Sequence, residues 1–185
     1  MKIRLAAIED AAAMAHVRVK AWQQTYRGIL PGDVLDKMDE AVIAEKWRKI
    51  VLPNPGPGVF NLVAEDDRGL VCGFAAGGPE RTPDSEYPGE IYALYVLPGS
   101  QRRGAGQALV SAGVELLLEQ GLQSLLIWVL AQNRIGRSFY EKLSGQVVRQ
   151  KKVEIGNLLY PEIGYGWKDM RQLVCKDGSA RLIAS

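Results

Sequence analysis

Residues 97 to 106 read L-P-G-S-Q-R-R-G-A-G, between a mainly apolar run at Glu90 to Leu97 and an amphipathic stretch from about Gly104 to Gln120. That order reads as a strand, a glycine-rich turn and a helix stopped by Gly121, followed by a continuous apolar strand from Leu122 to Leu130. A strand, helix, strand unit cannot cover its own apolar faces, so it commits the chain to an α/β architecture around a mixed sheet. The start of a helix offers unpaired N–H groups and a positive dipole end, and Gly104 and Gly106 present no Cβ to an approaching phosphate. The turn is therefore expected to cradle a pyrophosphate. It is not a Walker A loop, because Ala105 and Gly106 stand where Lys and Ser/Thr are required, and the dinucleotide fingerprint fails at Leu109, where its third glycine belongs.

The flanking segments extend the same pattern. Ile3 and Leu5 alternate with charged residues as a short first strand, and Asp10 is placed to cap a helix reaching about Tyr26. Asp33 is placed to cap a second helix through about Ile50, ended by Pro53, Pro55 and Pro57. Strands are expected at about 59–65 and 70–76, joined by a turn at 66–69, and at two stretches before Trp167 separated by Gly156 and Asn157. Asn133 to Leu143 reads as a further helix. No repeat or linker interrupts the chain, so residues 1–185 read as one domain, with about 168–185 as a C-terminal extension.

Composition narrows the function. No apolar run approaches the ~20 residues that span a bilayer, and the N-terminus lacks the apolar core of a signal peptide, so no membrane partner and a cytoplasmic location are expected. A net charge of +2 is too weak to argue for nucleic acid. Cys72, Cys175 and His16 have no metal-ligand spacing, and the cysteines read as buried thiols. A small-molecule partner is favoured.

Gln101, Arg102, Arg103, Gly104, Ala105, Gly106 resembles the Q/R-x-x-G-x-G/A signature of the GNAT superfamily of N-acetyltransferases. Upstream, Tyr95, Val96, Leu97, Pro98 resembles that family's fourth strand and its bulge. Downstream, Asn133 and the run Phe139, Tyr140, Glu141, Lys142, Leu143 resemble its asparagine and its F-Y-x-K-L helix. Ala21, Trp22, the run Thr25 to Gly28, and Leu30, Pro31 are similar to its first helices. The resemblance implies a GNAT-type fold, a central mixed, mostly antiparallel twisted sheet of about seven strands flanked by about four helices. It implies acetyl-CoA as acyl donor, no metal, and transfer to a primary amine on a small molecule or peptide. Carried over by position, the cofactor residues are Tyr95, Val96, Leu97, Gln101, Arg102, Arg103, Gly104, Ala105, Gly106, Gln107, Asn133, Gly136 and Arg137. Gly136 departs from the family's usual Ala, and Ser144, Gly145, Gln146 departs from its L-G-F.

On a helix, Asn133, Gly136, Arg137 and Tyr140 share one face, with roughly 10 Å along the axis between the first and last, while Ile135, Phe139 and Leu143 form the expected core stripe. Tyr140 resembles the family's general acid, and a phenol of pKa near ~10 holds its proton at neutral pH. A backbone N–H of Leu97 or Val96 is expected to polarise the thioester carbonyl; Pro98 has none to offer. Glu90 reads either as the base that deprotonates the amine or as a solvated carboxylate at a strand end, and His16 is a second candidate base. Trp22, Tyr26, Arg27, Asn157, Leu158 and Tyr160 are expected to line the acceptor groove. A non-catalytic acyl-CoA-binding module, or a different acyl group, are the competing readings, and a homodimer is left open.

Overall fold

The apolar periodicities resolve into a seven-stranded sheet with helices on both faces in the computed structural model, which describes residues 1–82 and 84–175. In chain order the elements are β1 (Lys2–Leu5), α1 (Ala11–Thr25), α2 (Gly32–Asp36), α3 (Glu40–Lys46), β2 (Phe60–Glu65), β3 (Val71–Pro79) and β4 (Gly89–Val96), then α4 (Ala105–Glu119), β5 (Leu125–Leu130), α5 (Arg134–Lys142), β6 (Gln146–Ile155) and β7 (Leu158–Trp167). The strand order is β1-β2-β3-β4-β5-β7-β6, antiparallel throughout except for the parallel pair β4 and β5. The helix between those two strands, α4, buries Leu109, Val110, Val114 and Leu117 on one face of the sheet against Leu62, Ile91, Leu125, Ile127, Tyr165 and Trp167. On the other face α1 packs Met14 and Val17 with Trp47 onto Val63 and Phe74.

The parallel pair is short. Gly89, Glu90 and Ile91 pair with Leu125, Leu126 and Ile127, and there the ladder stops although β4 runs on to Val96 and β5 to Leu130. Its cause lies in the register with β3: Gly77 opposes Ile91 and Ala76 opposes Ala93, so Tyr92 is an extra residue. A bulge of this kind bends the strand and steepens its twist. The two strands part beyond it, leaving a split in the middle of the sheet.

Two segments differ from the sequence reading. The helix expected from Asp33 to Ile50 is broken, because Asp39 accepts hydrogen bonds from the N–H groups of Ala41 and Val42 at 2.8 and 3.1 Å and starts α3 afresh. α2 turns Leu35 toward Leu30, Leu130 and Tyr160 instead. Asp10 does not cap α1; it accepts from the Ala7 N–H and forms an ion pair with Arg4. The stretch read as a C-terminal extension begins inside the core, where Met170 and Leu173 of a short 3-10 turn are buried beside α4; residues 176–185 lie outside the described ones. Cys72 is buried and Cys175 half-buried, both free thiols. Among the described residues no helix is long and apolar enough to cross a membrane, and no cluster of His, Cys, Asp and Glu could hold a metal ion.

Candidate active site

The turn after β4 is built as an anion cradle. A 3-10 turn at Pro98–Ser100 leads into Gln101, whose side-chain amide donates to the Val96 carbonyl at 3.1 Å and ties the loop back to the strand. Arg102 and Gly104 take left-handed backbone angles, φ 61° and 88°, and at Gly104 any side chain would be strained. The first amide of the following helix to find a carbonyl is that of Ala108, on Gly104. Those of Ala105, Gly106 and Gln107 are left open at the positive end of a fifteen-residue helix. Arg102, Arg103 and Gln107 are exposed around them, and Ala105 is buried. Gly106 also serves packing, since a Cβ there would stand 3.3 Å from the ring of Phe139. It lets α5 approach α4.

Along the split, the free edge of β4 faces β5. Leu97 donates its N–H to the Cys72 carbonyl at 2.8 Å, which removes it as the donor expected to polarise a carbonyl. Alternation along the antiparallel ladder with β3 then turns the N–H groups of Val96 and Leu94 away from β3, toward the split. The Val96 carbonyl, held by Gln101, points the same way. Leu94 was missed in the sequence because only the register with β3 separates inward from outward amides.

Helix α5 closes the far side of the split with its faces assigned differently from the sequence reading. Ile135 is 66% exposed, whereas Tyr140 is 7% exposed and packs against Phe139, Tyr165 and Trp167 with ring centroids 5.4, 5.7 and 6.3 Å away. Burial, then the neighbouring Tyr26 and Tyr95, pushes the Tyr140 phenol well above its ordinary pKa. Its hydroxyl makes no hydrogen bond to another group among the described residues. Asn133 caps α5 by accepting the Gly136 N–H at 2.9 Å, and its side chain lies within hydrogen-bonding reach of the Tyr26 hydroxyl. A Cβ on Gly136 would meet the Asn133 amide at 2.9 Å and Val129 at 3.0 Å. The glycine thus makes room for the cap and for β5. Arg137 is engaged within the protein, donating to the Tyr165 hydroxyl at 3.2 Å and to the Ala131 carbonyl at 3.3 Å. The unusual turn after α5 is a Schellman cap: Ser144, at φ 63°, donates to Glu141 and Gly145 to Tyr140.

The opposite face of the split lies under α1. Trp22 and Tyr26 stand edge to face 5.1 Å apart, half-buried, with Arg27 exposed beyond them. Tyr160 is 9% exposed among Leu30, Leu35 and Leu130. Asn157 and Leu158 are exposed near the β6–β7 hairpin tip, which rests on Val34 of α2 through Gly156. Glu90 sits at the apex of the split, 1% exposed, and is not the solvated carboxylate the alternative reading required. It accepts from the backbone N–H and Nε of Arg81, both at 3.1 Å, and from Nη2. His16 pairs with Glu40 at 3.0 Å on an exposed surface. A second carboxylate, Glu162, is in register with Leu130 on β5 and Lys151 on β6, past the point where β4 has left the sheet. Its side chain is 17% exposed and lies 3.8 Å from Lys151, and burial raises its pKa against the opposing fields of Lys151 and Arg81. The Tyr26 and Tyr95 hydroxyls both feel its charge. Nothing in the local sequence P-E-I-G marks it.

A split parallel pair, an amide cradle at one end and a buried phenol at the other form one continuous trough. The Acetyltransferase (GNAT) family model matches residues 19–145, more than half of the chain and all of that trough except β7. The chain belongs to the GNAT acetyltransferase family. It is 39% identical over 171 residues to an uncharacterized N-acetyltransferase, YuaI, of Bacillus subtilis, covering 92% of this chain and 95% of the relative. A probable N-acetyltransferase of Mycobacterium tuberculosis, Rv2775, is 26% identical over 89% and 92% of the two chains. Among solved structures, the PaiA N-acetyltransferase from Thermoplasma acidophilum in complex with coenzyme A superposes with a TM-score of 0.65 at 23% identity, covering 87% of this chain and 96% of that one. The putative acetyltransferase YncA from Salmonella typhimurium with its cofactor acetyl-CoA gives 0.66 at 24%, covering 90% and 92%. The likeness to these two structures is one of fold, which in this chain is built on a mixed sheet of seven strands.

Proposed function

We propose that the protein transfers an acetyl group from acetyl-CoA to the primary amine of a small-molecule or peptide acceptor, by direct attack with both substrates bound. The observation that carries the reading is the Tyr140 hydroxyl: buried, held protonated, and bonded to no other described protein group. A pure binding module needs the amide cradle but has no use for such a group.

The residues present fit the donor. The open amides of Ala105, Gly106 and Gln107, with Arg102 and Arg103 beside them, suit a pyrophosphate, and Gly104 supplies the left-handed turn that aims them. The β4 edge at Leu94 and Val96 offers N–H groups to an extended amide-bearing chain and to a carbonyl that gains charge during reaction. Acetyl-CoA, when bound, supplies a thioester carbon open to nucleophilic attack. Tyr140 holds a proton for the departing sulfur. Glu90, held in place by Arg81, takes the proton of the amine, and Glu162 supplies negative charge that favours an incoming ammonium.

The test joins binding to turnover. Ligand linkage adds roughly 2.7 kcal/mol at a hundredfold excess over Kd, so CoA should raise the melting temperature, and Gly104→Val should abolish the rise in a folded protein. A screen of amines with detection of free thiol should then show acetyl transfer. A melting curve unmoved by millimolar CoA would reject the cofactor reading.

A further inference from the structure

Arg18 and Trp22 are at i and i+4 along α1, with Tyr26 one turn further at its C-terminal cap, so their side chains form one stripe. Arg18 stands apart from the other arginines near the fold's interior. Arg4 is bound to Asp10 and Glu65, Arg81 to Glu90, Arg137 to Tyr165, and Arg149 to Asp84 and Glu86. Arg18 has no ion pair among the described residues. Its guanidinium lies between two indoles, 5.5 Å from the ring of Trp22 and 6.0 Å from that of Trp47. Its Nε and the Trp22 Nε1 are both buried donors without an acceptor. The Tyr95 hydroxyl lies near the Trp22 N–H, which lowers its pKa against the effect of burial. Leaving two buried donors unpaired is costly. A negatively charged acceptor with two lone-pair-bearing oxygens would satisfy them.

We infer that Arg18 and Trp22 together form a carboxylate receptor for the acceptor, so that the substrate is a primary amine that also bears a carboxylate. The inference rests on the transferase reading. Planar guanidinium and indole N–H match a planar carboxylate, and the flanking indoles exclude water and strengthen the charge-assisted bond. The ammonium end is met by Glu162, whose field and that of Arg18 both reach the Tyr95 hydroxyl, one raising and the other lowering its pKa. The arrangement selects against plain alkylamines, because they would leave Arg18 unpaired.

Matched acceptors test it: leucine against isopentylamine, and phenylalanine against 2-phenylethylamine, each with acetyl-CoA. The carboxylate-bearing member should have the lower KM in the native protein. Arg18→Gln should raise that KM about 10- to 100-fold at nearly unchanged kcat, while leaving the carboxylate-free member as it was. Trp22→Phe, which keeps the ring and removes the N–H, should give a smaller rise in the same direction. CoA-induced thermal shifts confirm that each variant is folded, and Trp22→Phe carries the comparison if Arg18→Gln is not. A separate titration of 3-phenylpropionate and 3-phenylpropanol into the CoA complex, followed by calorimetry, reads the receptor without any chemistry. Binding of the acid but not the alcohol, lost in the variants, upholds the receptor even if no amine is turned over, in which case the transferase reading alone fails. Equal binding of acid and alcohol, equal KM for both members of each pair, or parallel losses for both in the variants would overturn it.

Discussion

Replacing Tyr140 by Phe removes one oxygen from the centre of the trough, and the structure separates its effects on stability, binding and chemistry. The ring keeps its neighbours Phe139, Tyr165 and Trp167, and the lost hydroxyl has no protein partner to orphan among the described residues. Stability should therefore change by less than about 1 kcal/mol. Affinity for CoA should stay within about twofold, because the amide cradle lies at the start of α4 and not at α5. Turnover should fall by about 10²- to 10⁴-fold, the usual contribution of a general acid, which corresponds to about 2.7–5.4 kcal/mol in the barrier. The pH dependence is specific as well. Burial raises the phenol's pKa above its ordinary value near ~10, so the acid stays protonated through the assay range and the mutant-to-native rate ratio should be flat from about pH 6 to 9.5. The sign for stability follows from the same shift. A group whose folded pKa is raised favours the protonated fold, so the native protein alone should lose stability as pH climbs beyond the unfolded tyrosine value, and the Phe variant should not. Thiol release, calorimetric CoA titration and melting curves measure the three quantities. Wild-type turnover in the variant, or CoA affinity falling in proportion to activity, would refute the acid and leave only a binding module.

Glu162→Gln should raise the melting temperature at neutral pH while lowering activity, since burial raises this carboxyl's pKa and the ionised form costs stability; the gain should vanish as pH falls below the unfolded glutamate value near ~4.3, and a variant less stable at pH 7 would count against it. Gly145→Ala should destabilise by roughly 1–3 kcal/mol, because a Cβ there meets Trp167 at 2.6 Å and the Tyr140 carbonyl at 2.9 Å; an unchanged melting temperature would show that the turn after α5 can yield.

Local features were legible wherever a residue's own backbone or its period decides the outcome. The break between β4 and α4, the glycine at φ 88° and the stop at Gly121 follow from glycine chemistry and from a switch of apolar period. Boundaries were less secure where two caps compete, as when Asp39 rather than Asp33 begins the helix that carries Trp47. The faces of α5 were misread for a related reason. Nine residues with Ile135, Phe139 and Tyr140 allow two stripes, and only the position of Tyr165 and Trp167 across the sheet decides which is buried.

The sequence by itself determined the phosphate-cradling turn, the α/β class and the position of a phenol one helix away, because each is written in residues close together along the chain. Tertiary structure alone decided where the sheet opens, which amide of the β4 edge is free, that Glu90 pairs with Arg81, and that Arg18 and Trp22 bury side-chain donors without an acceptor. Those outcomes depend on a one-residue bulge at Tyr92 and on the pairing of β5 with both β4 and β7, strands distant from each other along the chain. A single-residue change of register reverses every side chain and amide on a strand. Propensity carries no trace of that choice until the strands are packed.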